Sequence, residues 1–368
     1  MDEFVAQLSV EDLANLLSAR GNRDGGNTQG WGKIEEFGIP LVMTADGPQG
    51  IRISAKCTAW PISTNLSCTW DVDLVAAVGK AAATEAHYHN MDIWLAPGMN
   101  IHRDPLCGRN FEYYSEDPLV TGKMAASITR AVQAEGVAIS LKHFAFYNKE
   151  TNRSSSDSRV TERAAREIYL KGFEIAVKEA DPWTIMSSYN FINGIETAEC
   201  WELITGILRN EWGYNGVVET DWGNQSNHVL EVLAGNDVKM TNSQPEKLVA
   251  AVESGKLTRE NLEAGAIRVL ELIMKVNYFQ DKFVNIPIVD IDTGTNFKAA
   301  ENIIWSATIQ TEETSDTDGG MNVGYCDAGA YAEYQINVVT GGTYKIQARV
   351  ASSAGKGAFN VVIDGETI

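Results

Sequence analysis

The amino-acid sequence predicts an α/β protein with a parallel sheet, followed by a smaller β-rich region. Short apolar runs of strand length alternate with segments of helical periodicity through about the first three quarters of the chain. Strands that alternate with helices at this spacing pair in parallel and are joined by crossover helices. The helical periodicity stops after Val276, and from Phe297 the chain is rich in Gly, Thr and Ser. These observations predict one large α/β domain and a second, all-β unit.

The elements of the α/β domain follow from apolar spacing. An amphipathic helix is predicted over 3–18, and Ser9 with Asp12 predicts a cap that divides it into two short helices. Strands are predicted at 41–46, 92–97, 137–144, 184–190, 216–222 and 237–240. Helices are predicted at 71–90, 118–135, 161–180, 199–212, 225–234 and 244–275.

Composition excludes several classes of function. Apolar residues are 44% of the 368, enough for a buried core, whereas the net charge of −19 argues against nucleic acid or an anionic membrane as a partner. The five cysteines show no metal-ligand spacing, which predicts reduced thiols. No apolar run has the length of a membrane span, and we do not expect the acidic N-terminal segment to act as a signal peptide. We expect either a cytoplasmic protein or a chain cut from a longer, secreted one; the oligomeric state is not indicated.

The segment NGVVETDW (215–222) carries the clearest chemical signal. Asp221 follows a predicted strand and precedes an aromatic residue, Trp222. In a parallel α/β barrel the catalytic residues stand at the carboxyl ends of the strands. A carboxylate in this place suits a nucleophile that attacks a sugar ring stacked on the indole. The alternative is that Asp221 caps the next helix.

Four further segments accompany this one: DGPQGIR (46–52), APGMNIHRDPLCGRNFEYYSEDP (96–118), KHFAFYNKETNR (142–153) and MSSYN (186–190). Together with ILRNEWGYNGVVETDW (207–222), they resemble the barrel domain of family 3 glycoside hydrolases, the β-glucosidase group, over about residues 7–275. The resemblance implies a TIM-like (β/α)8 barrel over 1–278, which need not be regular because six clear strands fall short of eight. Residues 279–296 are predicted as a linker.

The resemblance implies a retaining, exo-acting β-glucosidase that binds a β-glucoside or an oligosaccharide and needs no cofactor for catalysis. Retaining glycosidases use two carboxylates roughly 5–5.5 Å apart, one as nucleophile and one as acid/base. Asp221 matches the nucleophile. The positions that match sugar-binding residues are Asp46, Arg109, Lys142, His143, Arg153 and Tyr189, with Trp222 under the ring. Glu112 matches a carboxylate that orients Arg109. The alternative for Asp46, Arg109, Lys142 and His143 is a buried structural ion network.

The acid/base residue is where this sequence departs from the family pattern. Most β-glucosidases of the family carry it in a second α/β sandwich domain, sometimes placed ahead of the barrel, so we expect it outside this chain. The subgroup with an Asp-His dyad is not matched, because FAFYNKETNRSSSDSRV lacks the second His, and Asp157 is interpreted as structural. Trp222 favours a β-glucoside over a β-xyloside. A β-xylosidase, a β-N-acetylglucosaminidase and a non-catalytic glycan-binding fragment remain alternatives.

Residues 297–368 resemble part of a family 6 carbohydrate-binding module, a β-sandwich. Strands are predicted at 332–338, 342–350 and 358–364, and the chain ends at Ile368 after an Asp-Gly turn, so we expect a truncated sandwich. The resemblance implies a structural calcium ion held through Gln310 and Glu312. It also places Tyr325 and Tyr331 where aromatic residues stack on sugar.

Overall fold

The computed structural model divides the chain into two compact units, Met1–Val284 and Asn285–Ile368. Each unit has its own strands. The described residues are 1–22, 26, 28–284, 288–303, 305–307, 309–313, 320–324, 326, 330–348, 358–363 and 366–367.

Helices and strands alternate along the first unit. The α-helices are α1 (Asp2–Val5), α2 (Val10–Leu16), α3 (Ser63–Ser67), α4 (Val72–Tyr88), α5 (Pro118–Gln133), α6 (Glu162–Ala164), α7 (Lys171–Ala180), α8 (His228–Ala234), α9 (Pro245–Glu253), α10 (Arg259–Lys275) and α11 (Asn277–Phe279). The strands are β1 (Trp31–Ile34), β2 (Ile39–Val42), β3 (Thr44–Asp46), β4 (Ile93–Leu95), β5 (Ala138–Phe144), β6 (Asp157–Ser158), β7 (Thr184–Ser187), β8 (Phe191–Ile192), β9 (Ile195–Glu196) and β10 (Val217–Thr220). Short 3-10 helices cover Glu35–Phe37, Asn110–Glu112 and Thr197–Glu199, and π-helical segments cover Ala165–Tyr169, Glu202–Glu211 and Gln280–Val284.

A parallel sheet of five strands forms the centre of this unit, in the order β10-β7-β5-β4-β3. In β5, Ser140 lies opposite Thr184 of β7, and in β7, Met186 lies opposite Glu219 of β10. All seven residues of β5 are buried, as expected for a parallel strand that is covered on both faces. Because all five strands run in the same direction, their carboxyl ends lie at one edge of the sheet.

The sheet continues beyond β10 through the segment 237–240. Val238 forms a parallel bridge with Glu219, and Lys239 forms one with Ser18. The segment predicted as a strand at 237–240 therefore lies beside β10, but it is joined to its neighbours by isolated β-bridges and does not form a continuous strand. The α/β class with a parallel sheet is confirmed, and closure into an eight-stranded barrel stays a prediction.

Asp237 fixes the segment 237–240 against β10. Its carboxylate accepts from the Val218 N–H at 2.8 Å, from Arg209 at 2.7 Å and from Arg268 at 2.6 Å. The Asp237 side chain is 1% exposed. Two arginines thus compensate one buried carboxylate, which stabilises a charge that would otherwise be costly to remove from water.

Apolar side chains cover both faces of the sheet. On one face α4 packs against α5, and α5 packs against α7, over a core that includes Leu141, Ile185 and Val218. On the other face α2 packs against α9 and α10, and this core includes Leu95 and Met186. Successive residues of a strand therefore belong to different cores, as the alternation of a strand requires.

Side-chain caps begin the helices at positions that the sequence indicates. Ser9 and Asp12 form a capping box that separates α1 from α2, which confirms the predicted division. Asp71 caps α4, and Asp117 caps α5. The segment predicted as one helix over 244–275 is two helices, because a second capping box at Thr258 starts α10. No helix among the described residues is long and apolar enough to cross a bilayer.

The described part of the second unit consists of short paired strands. They are β11 (Ile288–Ile291), β12 (Trp305–Ala307), β13 (Gln310–Glu313), β14 (Met321–Gly324), β15 (Tyr331–Glu333), β16 (Gln335–Val338), β17 (Val362–Ile363) and β18 (Glu366–Thr367), with a 3-10 helix at Ala299–Glu301. β11 pairs with β16 in parallel, and β12–β15, β13–β14 and β17–β18 are antiparallel pairs. The predicted linker, residues 279–296, thus contains the last residues of the first unit, which ends at Val284, and the strand β11 of the second unit.

The strand predicted at 342–350 is wrong for its described residues, 342–348, which have no strand structure. Alternating apolar residues predict a half-buried strand only if a partner strand covers them. Ile346 is mostly exposed, so the apolar side chain of this alternating segment is not covered by a partner strand. The sandwich arrangement of this unit stays a prediction.

Candidate active site

Asp221 directly follows β10, at the edge where the parallel strands end. Its N–H donates to the Ser187 carbonyl at 3.1 Å, and its Oδ1 accepts from the Trp222 N–H at 2.7 Å. Its Oδ2 is buried with no hydrogen-bond partner among the described residues and lies 3.7 Å from His143 Nε2. The next helix, α8, is capped by Asn227 and not by Asp221. One carboxylate oxygen is therefore held in place, and the other is available for chemistry.

The pKa of Asp221 is raised above its ordinary value. Burial is the largest cause, and the positive charges of Arg109 and Lys142 oppose it without cancelling it. A low-dielectric site favours the neutral acid, whereas nearby cations favour the anion. The ionised Asp221 is consequently a more basic carboxylate than an exposed one, which suits a nucleophile.

Lys142 and Asp46 form an ion pair across the carboxyl edge. Lys142 lies in β5 and Asp46 ends β3, and Lys142 Nζ is 2.8 Å from Asp46 Oδ1. Arg52 donates to the other oxygen of Asp46. Burial alone would raise the pKa of Asp46, but Lys142 and Arg52 outweigh it and hold that pKa well below its usual range. Asp46 is therefore an anion that can accept hydrogen bonds from hydroxyl groups.

Asn100 is a residue of this site that sequence reasoning missed. Its Oδ1 accepts from the His143 N–H at 2.9 Å, its Nδ2 donates to the His143 carbonyl at 2.8 Å, and its Oδ1 lies 3.3 Å from His143 Nδ1. Asn100 comes three residues after the predicted strand 92–97, and a polar residue so close to a strand end was the available signal. It fixes both the backbone and the ring of His143.

His143 is fully buried and neutral. Burial, together with the positive charges of Arg109, Lys142 and Arg153, lowers the pKa of His143 well below its ordinary value. A neutral imidazole presents one N–H donor and one acceptor nitrogen. His143 can therefore bond a hydroxyl without adding a charge next to Asp221.

Arg109 is held by Glu112, as predicted. Arg109 Nε donates to Glu112 Oε1, and the Glu112 side chain is buried. The Arg109 guanidinium also lies over the Tyr147 ring, 5.6 Å from its centroid. Burial would lower the pKa of Arg109, but Tyr113 and Glu112 raise it above its ordinary value, so the guanidinium stays charged.

Arg153, Tyr189 and Trp222 form the outer part of the site. The Arg153 guanidinium lies 4.6 Å from the centroid of the Tyr189 ring, and the Tyr189 hydroxyl donates to the Trp222 carbonyl. The Trp222 Nε1 is buried without a hydrogen-bond partner among the described residues. Arg153 is the most exposed of the three, so it stands at the mouth of the site.

The other acidic residues of the neighbouring loop have structural contacts. Asp157 pairs with Arg159 at 2.5 Å and accepts from the Gly194 N–H at 3.0 Å, in line with a structural role. Glu150 lies 3.5 Å from Arg153. Within the described part of the chain, no group of three or more His, Cys, Asp or Glu residues could hold a metal ion.

The structure thus brings together every residue of the first unit that the sequence assigned to the site. We name this set the carboxyl-edge site; its members are Asp46, Asn100, Arg109, Glu112, Lys142, His143, Arg153, Tyr189, Asp221 and Trp222. It combines fixed cations, the paired carboxylates of Asp46 and Glu112, a neutral imidazole and aromatic faces around Asp221 Oδ2, which has no hydrogen-bond partner among the described residues. Such a set is suited to a ligand with several hydroxyl groups and an apolar ring face.

The calcium prediction concerns the second unit. The side chain of Gln310 is not among the parts of the chain that the structure describes, and neither is any part of Tyr325. Glu312 is exposed on β13, with its Oε1 3.4 Å from Asn322 Nδ2. A carboxylate oxygen is a donor that Ca²⁺ prefers, so Glu312 fits the prediction, which stays untested.

Comparison with known proteins identifies the family. Residues 23–272, more than half of the chain, match the model of the glycosyl hydrolase family 3 N-terminal domain. Residues 299–368 match the model of the family 6 carbohydrate binding module. The chain belongs to glycosyl hydrolase family 3.

Curated relatives are similar over about three quarters of this chain. β-Glucosidase A of Butyrivibrio fibrisolvens is 50% identical over 267 residues, which is 72% of this chain and 32% of that protein. Thermostable β-glucosidase B of Acetivibrio thermocellus is 41% identical over 286 residues, 74% and 37% of the two chains. Exo-α-(1→6)-L-arabinopyranosidase of Bifidobacterium longum is 40% identical over 285 residues, again 74% and 37%. The chain spans about a third of the length of these relatives.

Solved structures agree in fold. β-Glucosidase 3B of Thermotoga neapolitana in complex with glucose superposes with a TM-score of 0.74 at 39% identity, over 76% of this chain and 43% of that one. β-Glucosidase of Kluyveromyces marxianus in complex with glucose gives a TM-score of 0.71 at 34% identity, over 76% and 34%.

Proposed function

We propose that this chain carries the sugar-binding site and the nucleophile of a retaining, exo-acting β-glucosidase. The observation that carries the proposal is Asp221. Its Oδ1 is held by a backbone N–H, whereas its Oδ2 is buried, unpartnered among the described residues and 3.7 Å from a neutral histidine. In the proposed reaction Oδ2 attacks the anomeric carbon, the bond to the leaving oxygen breaks, and water later releases the glycosyl group.

The rest of the carboxyl-edge site binds the terminal sugar. Asp46 accepts from one or two hydroxyls, while Lys142 and Arg109 donate to others, and Trp222 packs under the ring. Because the ion pair between Asp46 and Lys142 already fixes both side chains, neither side chain has to become ordered when the sugar binds. Preorganised charges of this kind lose little free energy on reorganisation during the reaction. Membership of the family supports closure of the sheet into a TIM-like barrel around this site.

The acid/base group is proposed to come from outside this chain. Each other carboxylate of the described site is paired with a cation: Asp46 with Lys142, Glu112 with Arg109, and the neighbouring Glu150 with Arg153. A nearby cation stabilises the ionised carboxylate. A general acid must instead hold its proton until it donates it to the leaving oxygen.

A second candidate substrate is an α-L-arabinopyranoside. The Bifidobacterium longum relative named for that activity is 40% identical over 285 residues, which is 74% of this chain. This sugar lacks the hydroxymethyl group of glucose and differs from it at C4. The choice between the two depends on the groups around those positions. A β-xyloside, a β-N-acetylglucosaminide or binding without catalysis are weaker alternatives, as judged from the sequence.

Replacement of Asp221 by Gly, with azide added, tests the proposal. Wild-type chain is expected to release dinitrophenol from dinitrophenyl β-glucoside, whose leaving group needs little acid help, far faster than alcohol from an alkyl β-glucoside. Asp221→Gly should lose this activity and regain part of it in azide, with α-glucosyl azide as the product, because azide enters on the face that the carboxylate occupied. Retained activity in Asp221→Gly, or β-glucosyl azide as its product, would refute the assignment.

The same assay with nitrophenyl α-L-arabinopyranoside and nitrophenyl β-xyloside ranks the sugars by kcat/KM. If sugar binds to the wild-type chain but no activated glycoside is cleaved, the chain is a glycan-binding protein.

A further inference from the structure

A second buried carboxylate lies directly behind the proposed nucleophile. Glu219 is in β10, two residues before Asp221, and its side chain is fully buried. Residues two apart in a strand point to the same face and are about 6.6 Å apart along it. Glu219 therefore lies beneath Asp221 and, because it is inaccessible, cannot itself contact a sugar.

The contacts of Glu219 are uneven. Its Oε1 accepts from the Ser140 hydroxyl, but its Oε2 is buried without a hydrogen-bond partner among the described residues. None of the ion pairs within the described part of the chain includes Glu219. Burying a charged oxygen without a partner is far more costly than burying a protonated one.

The Ser140–Glu219 bond joins the two strands that carry the proposed chemistry. Ser140 lies in β5, two residues before Lys142. In the same way Glu219 lies in β10, two residues before Asp221, which directly follows that strand. β7 lies between these strands. The bond therefore connects β5 to β10 at a level two residues before Lys142 and Asp221.

We propose that Glu219 is a positioning residue that stays protonated beneath the carboxyl-edge site and aligns Lys142 with Asp221 through its bond to Ser140. The inference rests on the proposed function of Asp221. The uncharged Glu219 leaves the cations of the site to act on Asp46 and Asp221. An ionised Glu219 would place a further buried anion there and compete for Lys142.

The groups that face Glu219 agree with a neutral state. Burial is the largest cause that raises the pKa of Glu219 to about 8; the Ser140 bond and Lys142 oppose it, and Asp237 adds to it. The charge of an ionised Glu219 would in turn raise the pKa of the buried Tyr214 hydroxyl. Lys142 is already paired with Asp46. Asp237 is an anion, and its own partners are Arg209 and Arg268, so none of the described ion pairs supplies Glu219 with a counter-ion.

The experiment compares the full chain with its Glu219→Gln, Ser140→Ala and Glu231→Gln variants. The rate of covalent labelling by a dinitrophenyl 2-fluoro-glucoside is measured from pH 6 to 9.5. For the wild type we expect a fall of about tenfold between pH 7 and pH 9. Glu219→Gln should keep the wild-type rate at pH 6 and lose the fall. Ser140→Ala should move the fall to higher pH, because the Ser140 bond lowers the pKa of Glu219.

Glu231→Gln is the matched control. Glu231 is a buried carboxylate that is bonded to Lys239 and Ser226 and not to the carboxyl-edge site, so this variant should keep the alkaline fall. An alkaline fall that persists unchanged in Glu219→Gln would overturn the proposal. Absence of labelling in the wild type, by contrast, would refute the function of Asp221.

Unfolding by urea tests the protonation of Glu219 without reference to activity. A carboxyl whose pKa is about 8 in the folded chain and ordinary in the unfolded chain binds more protons in the folded state between those values, so stability falls as pH rises from about 4.5 to 8. The stability of Glu219→Gln relative to wild type should therefore increase over that interval. A constant difference would show that Glu219 is ionised when folded.

Discussion

At the scale of single residues, the pairing of Lys142 with Asp46 leads to a binding prediction. In the proposed site, Lys142→Ala or Asp46→Ala removes a charge-assisted hydrogen bond to the sugar, worth on the order of 1.5–3 kcal/mol. Glucose affinity measured by calorimetry should fall by about 10- to 150-fold in each variant. Lys123→Ala is the control, because Lys123 pairs with Glu179 on the surface and should leave affinity unchanged. Unchanged affinity in both site variants would place the sugar site elsewhere.

The raised pKa of Asp221 predicts the acid side of the pH profile. In the proposed reaction only the ionised Asp221 carboxylate attacks, so labelling by the fluoro-glucoside should decline as the solution becomes acidic. Because burial raises the pKa of Asp221, the midpoint should lie above the value of about 3.9 for free Asp. The labelling rate measured from pH 3.5 to 7 checks this, and a midpoint at or below the free value would contradict it.

The sequence predicted the charged and aromatic members of the carboxyl-edge site better than the residues that support them. Asp46, Arg109, Lys142, His143 and Asp221 belong to specific motifs, and the structure brings them together. Asn100 and Glu219 were missed because their importance lies in partners far along the chain. Asn100 accepts a hydrogen bond from the His143 N–H, and Glu219 accepts one from the Ser140 hydroxyl. No local pattern records a contact between residues that are 43 or 79 positions apart.

At the scale of elements, Asp237 holds the segment 237–240 beside β10. Asp237→Ala leaves Arg209 and Arg268 buried without their partner, which should destabilise the first unit by about 3–5 kcal/mol. The free energy of urea unfolding measures this. Lys123→Ala again serves as the control, since an exposed pair contributes at most about 1 kcal/mol. A loss in Asp237→Ala no greater than in the control would show that the arginines find other partners.

Element type was predictable where apolar periodicity is strong, and boundaries depended on caps. The runs around β5 and β10 are buried on both faces, so their strand pattern is continuous and clear. The helix predicted over 244–275 was divided by the capping box at Thr258, which apolar spacing alone does not show. In the second unit, alternation over 342–348 suggested a strand, but pairing depends on a neighbour that the sequence of one segment does not specify.

At the scale of the whole molecule, the chain divides into two compact units, and every described contact of the carboxyl-edge site lies in the first. A fragment of residues 1–284 should therefore fold and bind glucose with the affinity of the full chain, within about a factor of two. Calorimetry on both proteins checks this. A tenfold loss in a fragment that retains its circular dichroism spectrum would show that the second unit contributes to the site.

The most direct test of the proposed function is covalent trapping of the nucleophile. The full chain is incubated with dinitrophenyl 2-deoxy-2-fluoro-β-glucoside, in which fluorine slows release of the glycosyl group, and is then measured by intact mass and peptide mapping. We expect one added fluoroglucosyl group, attached to Asp221, and no addition to the Asp221→Asn variant. A label on another carboxylate, or an unlabelled wild-type chain that is shown to be folded and to bind glucose, would contradict the assignment of Asp221.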